Sequence, residues 1–172
     1  GCRSARNPLE NTDIEAHLAM VRGPLSARAL GLSLDKAGLD AAYVIQFTDE
    51  YDSWRALPKK HNVTLIPYFR SGSLVHYPLI KQIKKWNVLR SDHYGSIAQA
   101  MQTIASSRCV LTESLHGAIL ADALRVPWMR LVYYLERPQE RETGQFKWKD
   151  WQESLNIPCI PTLKIPLEPH YW

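Results

Sequence analysis

The sequence predicts an α/β fold: a mainly parallel, Rossmann-like sheet with helices on both faces. Three observations carry the prediction. Short apolar runs, partly β-branched, recur at residues 41–45, 63–66, 109–111 and 126–132, and such runs suit strands covered on both faces. Apolar residues at helical spacing fill stretches between them, above all residues 96–105 and 115–124. Strands that alternate with helices build βαβ units, and those assemble into a parallel sheet.

In chain order, residues 1–12 are polar and aperiodic and predict a loop. Ala19-Met20-Val21 is a short strand candidate. Pro24, after Gly23, suits a first helical position; Leu25, Ala29 and Leu30 continue at helical spacing until Gly31. Arg22 thus stands at a strand end just before a helix. It reads either as a cation presented to a ligand or as an arginine paired to a carboxylate. Residues 41–45 predict a buried strand, and Asp49 can cap a helix over residues 50–57. Residues 63–66 are the next strand, with Pro67-Tyr68-Phe69 at its end. Leu79, Ile80, Ile83 and Trp86 share one helical face, with Lys81, Lys84 and Lys85 outside it. Val88-Leu89 is strand-like, and residues 96–105 form an amphipathic helix.

Residues 108–128 are the centre of the chain. Cys109-Val110-Leu111 reads as a buried strand, and Thr112, Glu113 and Ser114 as a turn whose side chains can cap a helix. Leu115 to Leu124 are apolar nearly all round, the mark of a packed helix, and Pro127 prevents its continuation. The turn lies where open α/β sheets bind ligands. His116 and Gly117 occupy the first helical turn, whose N–H groups lack intrahelical acceptors and where the dipole is positive. Gly117 would let another molecule approach the backbone. One reading is an anion pocket with an imidazole at its mouth; the other is a tightly packed turn with His116 bonded locally.

Residues 129–132 continue the strand begun at Val126, and residues 136–145 are a loop or exposed helix. Trp148, Trp151 and Leu155 recur at helical spacing in the aromatic helix of residues 146–155. They bury an edge of the domain, or Trp148 stacks on a sugar. Pro158, Pro161, Pro166 and Pro169 predict an extended strap.

A chain of 172 residues, 45% hydrophobic and 22% charged, is an ordinary globular composition for one domain, or one domain and part of another. The net charge is +4, but the basic residues are scattered, which argues against nucleic acid and favours an anionic substrate or a membrane surface. Cys2, Cys109 and Cys159 show no metal-ligand spacing and cannot all pair, which points to a reducing compartment. No apolar run approaches a membrane span, and no signal pattern opens the chain.

The segment Ser106-Ser107-Arg108-Cys109-Val110-Leu111-Thr112-Glu113-Ser114-Leu115-His116-Gly117-Ala118-Ile119-Leu120-Ala121-Asp122-Ala123-Leu124 resembles the Leu-His-Gly segment of the polysaccharide pyruvyl transferase family. Its continuation Arg125-Val126-Pro127-Trp128 is similar to members acting on succinoglycan-type exopolysaccharides. Val21-Arg22-Gly23-Pro24-Leu25-Ser26-Ala27-Arg28-Ala29-Leu30-Gly31-Leu32 resembles the family's other familiar segment. Asp40 matches an Asp-Pro-Ala pattern, with Ala41 replacing the proline. Tyr68 stands where the family usually has the histidine of Pro-His. It keeps a hydroxyl but carries no positive charge at pH 7.

The resemblance implies a two-domain, glycosyltransferase-B-like architecture of which this chain is mostly the C-terminal half. Residues 1–32 would be a junction from a largely absent N-terminal domain, and residues 33–172 a Rossmann-like domain ending in the strap. The chain is therefore expected to be a fragment or a shortened relative, with weak activity or none alone. The implied reaction moves pyruvate from phosphoenolpyruvate to two sugar hydroxyls, forming a ketal and releasing phosphate. Arg22, Ser26, Ser114 and Gly117 would bind the donor, and His116 with Glu113 would handle protons. Glu113 is equally readable as a helix-cap carboxylate. Tyr68 and Trp148 are acceptor-side candidates. No metal and no cofactor beyond the donor is expected. The expected partners are phosphoenolpyruvate and a glycan or lipid-linked acceptor, with peripheral membrane association and a homo-oligomer as further options. The expected location is the cytoplasm or the inner face of the membrane. Two rival readings stay open: a non-catalytic remnant that binds glycans or a partner, and a sugar-nucleotide glycosyltransferase.

Overall fold

The computed structural model describes residues 18–68, 86–89, 95–133 and 138–165. Within them β1 (Val63–Ile66), β2 (Trp86–Val88), β3 (Val110–Thr112), β4 (Trp128–Tyr133) and β5 (Thr162–Ile165) pair in parallel, in the order β2-β1-β3-β4-β5. Register places Leu65 opposite both Val88 and Leu111, and Arg130 opposite Thr162. The helices are α1 (Pro24–Ala29), α2 (Tyr51–Arg55), α3 (Ile97–Ala105), α4 (Leu115–Ala123) and α5 (Pro138–Ser154), with 3-10 turns at Leu34–Lys36 and Ala41–Phe47. This is the α/β, Rossmann-like fold expected from the alternation of strands and helices.

The chain divides into two compact units. One comprises Ala42–Tyr134 with Ile160–Trp172 and holds all five strands; the other comprises Gly1–Ala41 with Leu135–Cys159. The segment read as a junction thus contributes α1 to a unit that also contains α5.

In the sheet unit, successive residues of a strand point to opposite faces. Leu65, Leu111 and Leu131 form one buried cluster with Val63, Val88 and Met129 against it. Ile66 and Val110 belong to the other, with Met101, Ile104, Ala121, Leu124 and Val126, and with Tyr51 and Trp54 of α2 packed onto it. The period-2 pattern of β1 and β3 and the 3.6 period of α3 therefore meet in one core. Ser96 caps α3, its hydroxyl accepting from the Gln99 N–H at 3.2 Å.

Several elements depart from expectation. Residues 41–45 are not a buried strand but part of the 3-10 turn Ala41–Phe47, none of whose residues is buried. Three-residue spacing aligns Val44 with Phe47, and these are 61% and 87% exposed. Tyr43 and Ile45 instead face inward: the Tyr43 hydroxyl donates to Asp122 Oδ2 at 2.7 Å, and Ile45 joins the apolar cluster. A short apolar run does not distinguish the two conformations by itself. Residues 19–21 supply a single bridge rather than a strand: Val21 pairs with Ala37, and the chain enters α1 three residues later. The helix begun near Asp49 is confined to α2, whose N-cap is Glu50 with no side-chain bond.

The prolines at the end mislead in one respect. Pro158 and Pro161 precede β5, so Thr162–Ile165 keep their N–H groups and complete the sheet as a fifth strand, while the Pro161 carbonyl accepts from Arg130 N at 2.9 Å. Likewise α5 is one helix of 17 residues spanning both the segment read as loop or exposed helix and the aromatic helix. The expected loop at residues 1–12, most of the helix expected to reach Trp86 and the strap beyond residue 165 lie outside the described residues, but Trp86 itself is not helical: it opens β2 and pairs with Val63. Among those described, no helix is long and apolar enough to cross a membrane.

Three helices stop in the same way. After α1, α4 and α5 the N–H groups of Leu32, Val126 and Ile157 bond back to the carbonyls of Ala27, Ala121 and Gln152, with Gly31, Arg125 and Asn156 at positive φ. This is the Schellman arrangement, which glycine and asparagine tolerate and arginine does not favour. It also explains why β4 begins at Trp128: Val126 is used to close α4 and is buried against the core. Arg125→Gly is expected to stabilise the protein by about 0.5–1 kcal/mol, read as a higher denaturation midpoint.

Candidate functional site

The strand order puts a switch point between β1 and β3. From β1 the chain continues to β2 on one side, and from β3 to β4 on the other. Ligands of open α/β sheets bind at that crevice, outside the carboxyl ends of the strands. Here it is bordered by Pro67-Tyr68 after β1 and by Glu113-Ser114-Leu115-His116 after β3.

Thr112 organises the turn. Its Oγ1 accepts from Ser114 N at 2.9 Å and lies 2.9 Å from the Ser114 carbonyl and 3.2 Å from that of Ile66. Ser114 is the N-cap of α4 by backbone position, but its own side chain makes no capping bond. The first N–H groups of α4 therefore keep their positive end. His116 stands exposed on that first turn, while Leu115 and Gly117 on either side of it are buried.

Gly117 has a different reason from the one its sequence position suggests. A Cβ there would collide with Thr112 Oγ1 and come within 3.2 Å of Ile66 Cδ1. The space left by the missing side chain is filled from within, so glycine lets α4 pack onto β1 and β3. Gly117→Ala is expected to destabilise by about 1–2 kcal/mol in denaturant titration, overpacking of about 1–3 kcal/mol being partly offset by the better helix propensity of alanine.

Glu113 bridges the two strand ends. Its N–H donates to the Ile66 carbonyl at 3.0 Å, and its Oε2 accepts from Tyr68 N at 2.9 Å. Tyr68 is half-buried at the position flanking the crevice. The sheet unit thus brings together Glu113, Ser114, His116, Gly117 and Tyr68.

Arg22, Ser26 and Trp148 belong to the other unit, around a residue the sequence did not single out. Asp150 on α5 is 0% exposed. Its Oδ1 accepts from Ser26 N at 3.0 Å, and its Oδ2 accepts from the Ser26 hydroxyl at 2.5 Å and faces Arg22 Nε at 3.4 Å. Ser26 is the third residue of α1, so the carboxylate occupies the anion position at that helix's N-terminus. Gly23 permits this approach, because a Cβ would collide with the Asp150 carbonyl and carboxylate. Arg22 Nη1 also lies 3.7 Å from Asp40 Oδ2. One guanidinium between two carboxylates leaves a formal charge of −1, and Arg22 is in this unit the carboxylate-paired arginine of the two readings.

Trp148 is 4% exposed and packs edge-on to Trp151, ring centroids 5.9 Å apart, which is the burial role of its two readings. The only sequence signal for Asp150 was its place between these tryptophans, and burial of a carboxylate cannot be inferred from that alone. Among the described residues no group of His, Cys, Asp and Glu is arranged to hold a metal ion. Cys109 and Cys159 are free thiols, and burial pushes the Cys109 thiol up from its ordinary range, which suits packing rather than nucleophilic work.

Comparison with known proteins points to one family. Residues 15–134 match the family model described as polysaccharide pyruvyl transferase. The succinoglycan biosynthesis protein ExoV of Rhizobium meliloti (strain 1021) is 29% identical over 153 residues, covering 89% of this chain and 45% of that protein. The chain therefore spans less than half the length of this curated relative. No solved structure matches.

Proposed function

This chain belongs to the polysaccharide pyruvyl transferase family, and from that premise we propose that it serves pyruvyl transfer from phosphoenolpyruvate to two hydroxyls of a sugar. The acceptor is an exopolysaccharide or its lipid-linked precursor, a choice supported by the succinoglycan role named for ExoV. The observation that carries the reading is the exposed His116 on the first turn of α4, at the switch point between β1 and β3.

The donor carries a phosphate and a carboxylate. The N–H groups at the start of α4, with the Ser114 hydroxyl, offer donors for the phosphate without requiring a side-chain cation. The vinyl carbon gains one proton and becomes a methyl group, after which the central carbon takes the first sugar oxygen. The second sugar oxygen then displaces phosphate. Of the two hydroxyl protons released, one balances the methyl group and the other leaves with phosphate. His116 is the side chain at this crevice suited to move a proton in either direction near neutral pH. The donor itself supplies the transferred group, so the scheme uses no further cofactor.

The test is phosphate release from phosphoenolpyruvate, measured with and without an acceptor glycan. Release that depends on the glycan, with a pyruvyl ketal in the product, supports the reading. Binding of phosphoenolpyruvate without release would favour a non-catalytic role, and release only from a sugar nucleotide would favour glycosyl transfer.

A further inference from the structure

We propose that Glu113 is a positioning residue of this site rather than the base of its reaction. The inference rests on the site assignment made above. In the parallel pair β1–β3, Thr64 N donates to the Cys109 carbonyl at 2.9 Å, with Thr64 opposite Val110 and Ile66 opposite Thr112. Two residues further along β1 for each two along β3, the ladder brings Tyr68 N to the position facing residue 113. There the chain is already turning into α4, whose N-cap is Ser114.

The Glu113 carboxylate takes the place of a main-chain carbonyl, with Oε2 2.9 Å from Tyr68 N, while the Glu113 N–H still reaches Ile66 O at 3.0 Å. One residue therefore extends the β1–β3 pairing from both its backbone and its side chain. Without it the Tyr68 N–H, part-buried at the crevice, would lose its acceptor. The bond fixes the exit of β1 against the first turn of α4, and so the separation of the two walls of the switch point. This bond requires of residue 113 only an acceptor oxygen facing Tyr68 N.

The two roles separate on substitution. Glu113→Gln keeps an oxygen that can accept from Tyr68 N but cannot take up a proton. A positioning role predicts kcat and KM for phosphoenolpyruvate within about threefold of the unaltered protein, and a pH profile of the same shape. Glu113→Ala removes the acceptor and is expected to raise KM by about tenfold or more, with a smaller change in kcat. Amide exchange at Tyr68 gives a readout independent of turnover: protection is kept in Glu113→Gln and lost in Glu113→Ala.

A fall in kcat of about a hundredfold or more in Glu113→Gln, or loss of one limb of its pH profile, would make Glu113 the base and overturn the proposal. So would Glu113→Ala indistinguishable from the unaltered protein in KM and Tyr68 exchange. The underlying site assignment fails separately, if His116→Ala leaves phosphate release intact, whatever the Glu113 variants do.

Discussion

Asp150→Ala is expected to destabilise the unit containing α1 and α5 by about 3–5 kcal/mol, the range for breaking a buried ion pair by removing one partner. Asp150 is fully buried, and its two oxygens serve Ser26 N, the Ser26 hydroxyl and Arg22 Nε. Truncation leaves all three without that acceptor. It also removes the negative charge from the N-terminus of α1, a helix of six residues that is too short to persist without tertiary support. For a chain of this size the loss corresponds to a fall in Tm of roughly 6–20 °C. Asp150→Asn keeps one acceptor oxygen and is expected to fall between. Thermal unfolding and amide exchange in α1 provide the measurement. A Tm within 2 °C of the unaltered protein (about 1 kcal/mol or less), with α1 still protected, would show that the carboxylate is not what holds this unit together.

His116→Ala is expected to do the opposite: little to stability and much to chemistry. The side chain is exposed on α4, and alanine is the better helix former, so the denaturation midpoint should shift by no more than about 0.5 kcal/mol equivalent. If His116 moves a proton in the pyruvyl transfer proposed above, phosphate release should fall by about 10²–10⁴-fold. His116→Gln, which retains hydrogen bonding but cannot shuttle a proton near neutral pH, should be impaired nearly as much. Activity of His116→Ala above a tenth of the unaltered level would reduce the residue to part of the turn.

The contrast between these two residues shows what was legible in the sequence. His116 was found because everything that places it is local. An apolar strand, three polar turn residues, an apolar helix and a following proline specify β3, the turn and α4 within about twenty residues. Asp150 was missed because Ser26 lies 124 residues away from it in sequence, and nothing in either stretch announces the other. Thr112 lies between the two cases. Its capping chemistry was readable, but its use of Oγ1 to fill the space beside Gly117 depends on how closely α4 approaches β3 and β1.

The strands divide in the same way. β1 and β3 carry their own signal in buried, β-branched or apolar residues. β5 does not: Thr162–Ile165 becomes a strand because β4 offers a ladder edge alongside it. Residues 41–47 offer an equally apolar run, but they adopt a 3-10 turn, with Tyr43 committed to Asp122 and Ile45 to the core.

By itself, then, the sequence determined the fold class, the strand–turn–helix around His116 and the family to which these motifs belong, because periodicity, capping and turn chemistry act over a few residues. The tertiary structure alone decided the order β2-β1-β3-β4-β5, the bridge from Glu113 to Tyr68 and the buried Asp150 beneath α1. Each of these is a pairing between segments distant in the chain. Such pairings are chosen by which backbone and side-chain groups would otherwise be buried without a partner, and that is known only once the segments have met.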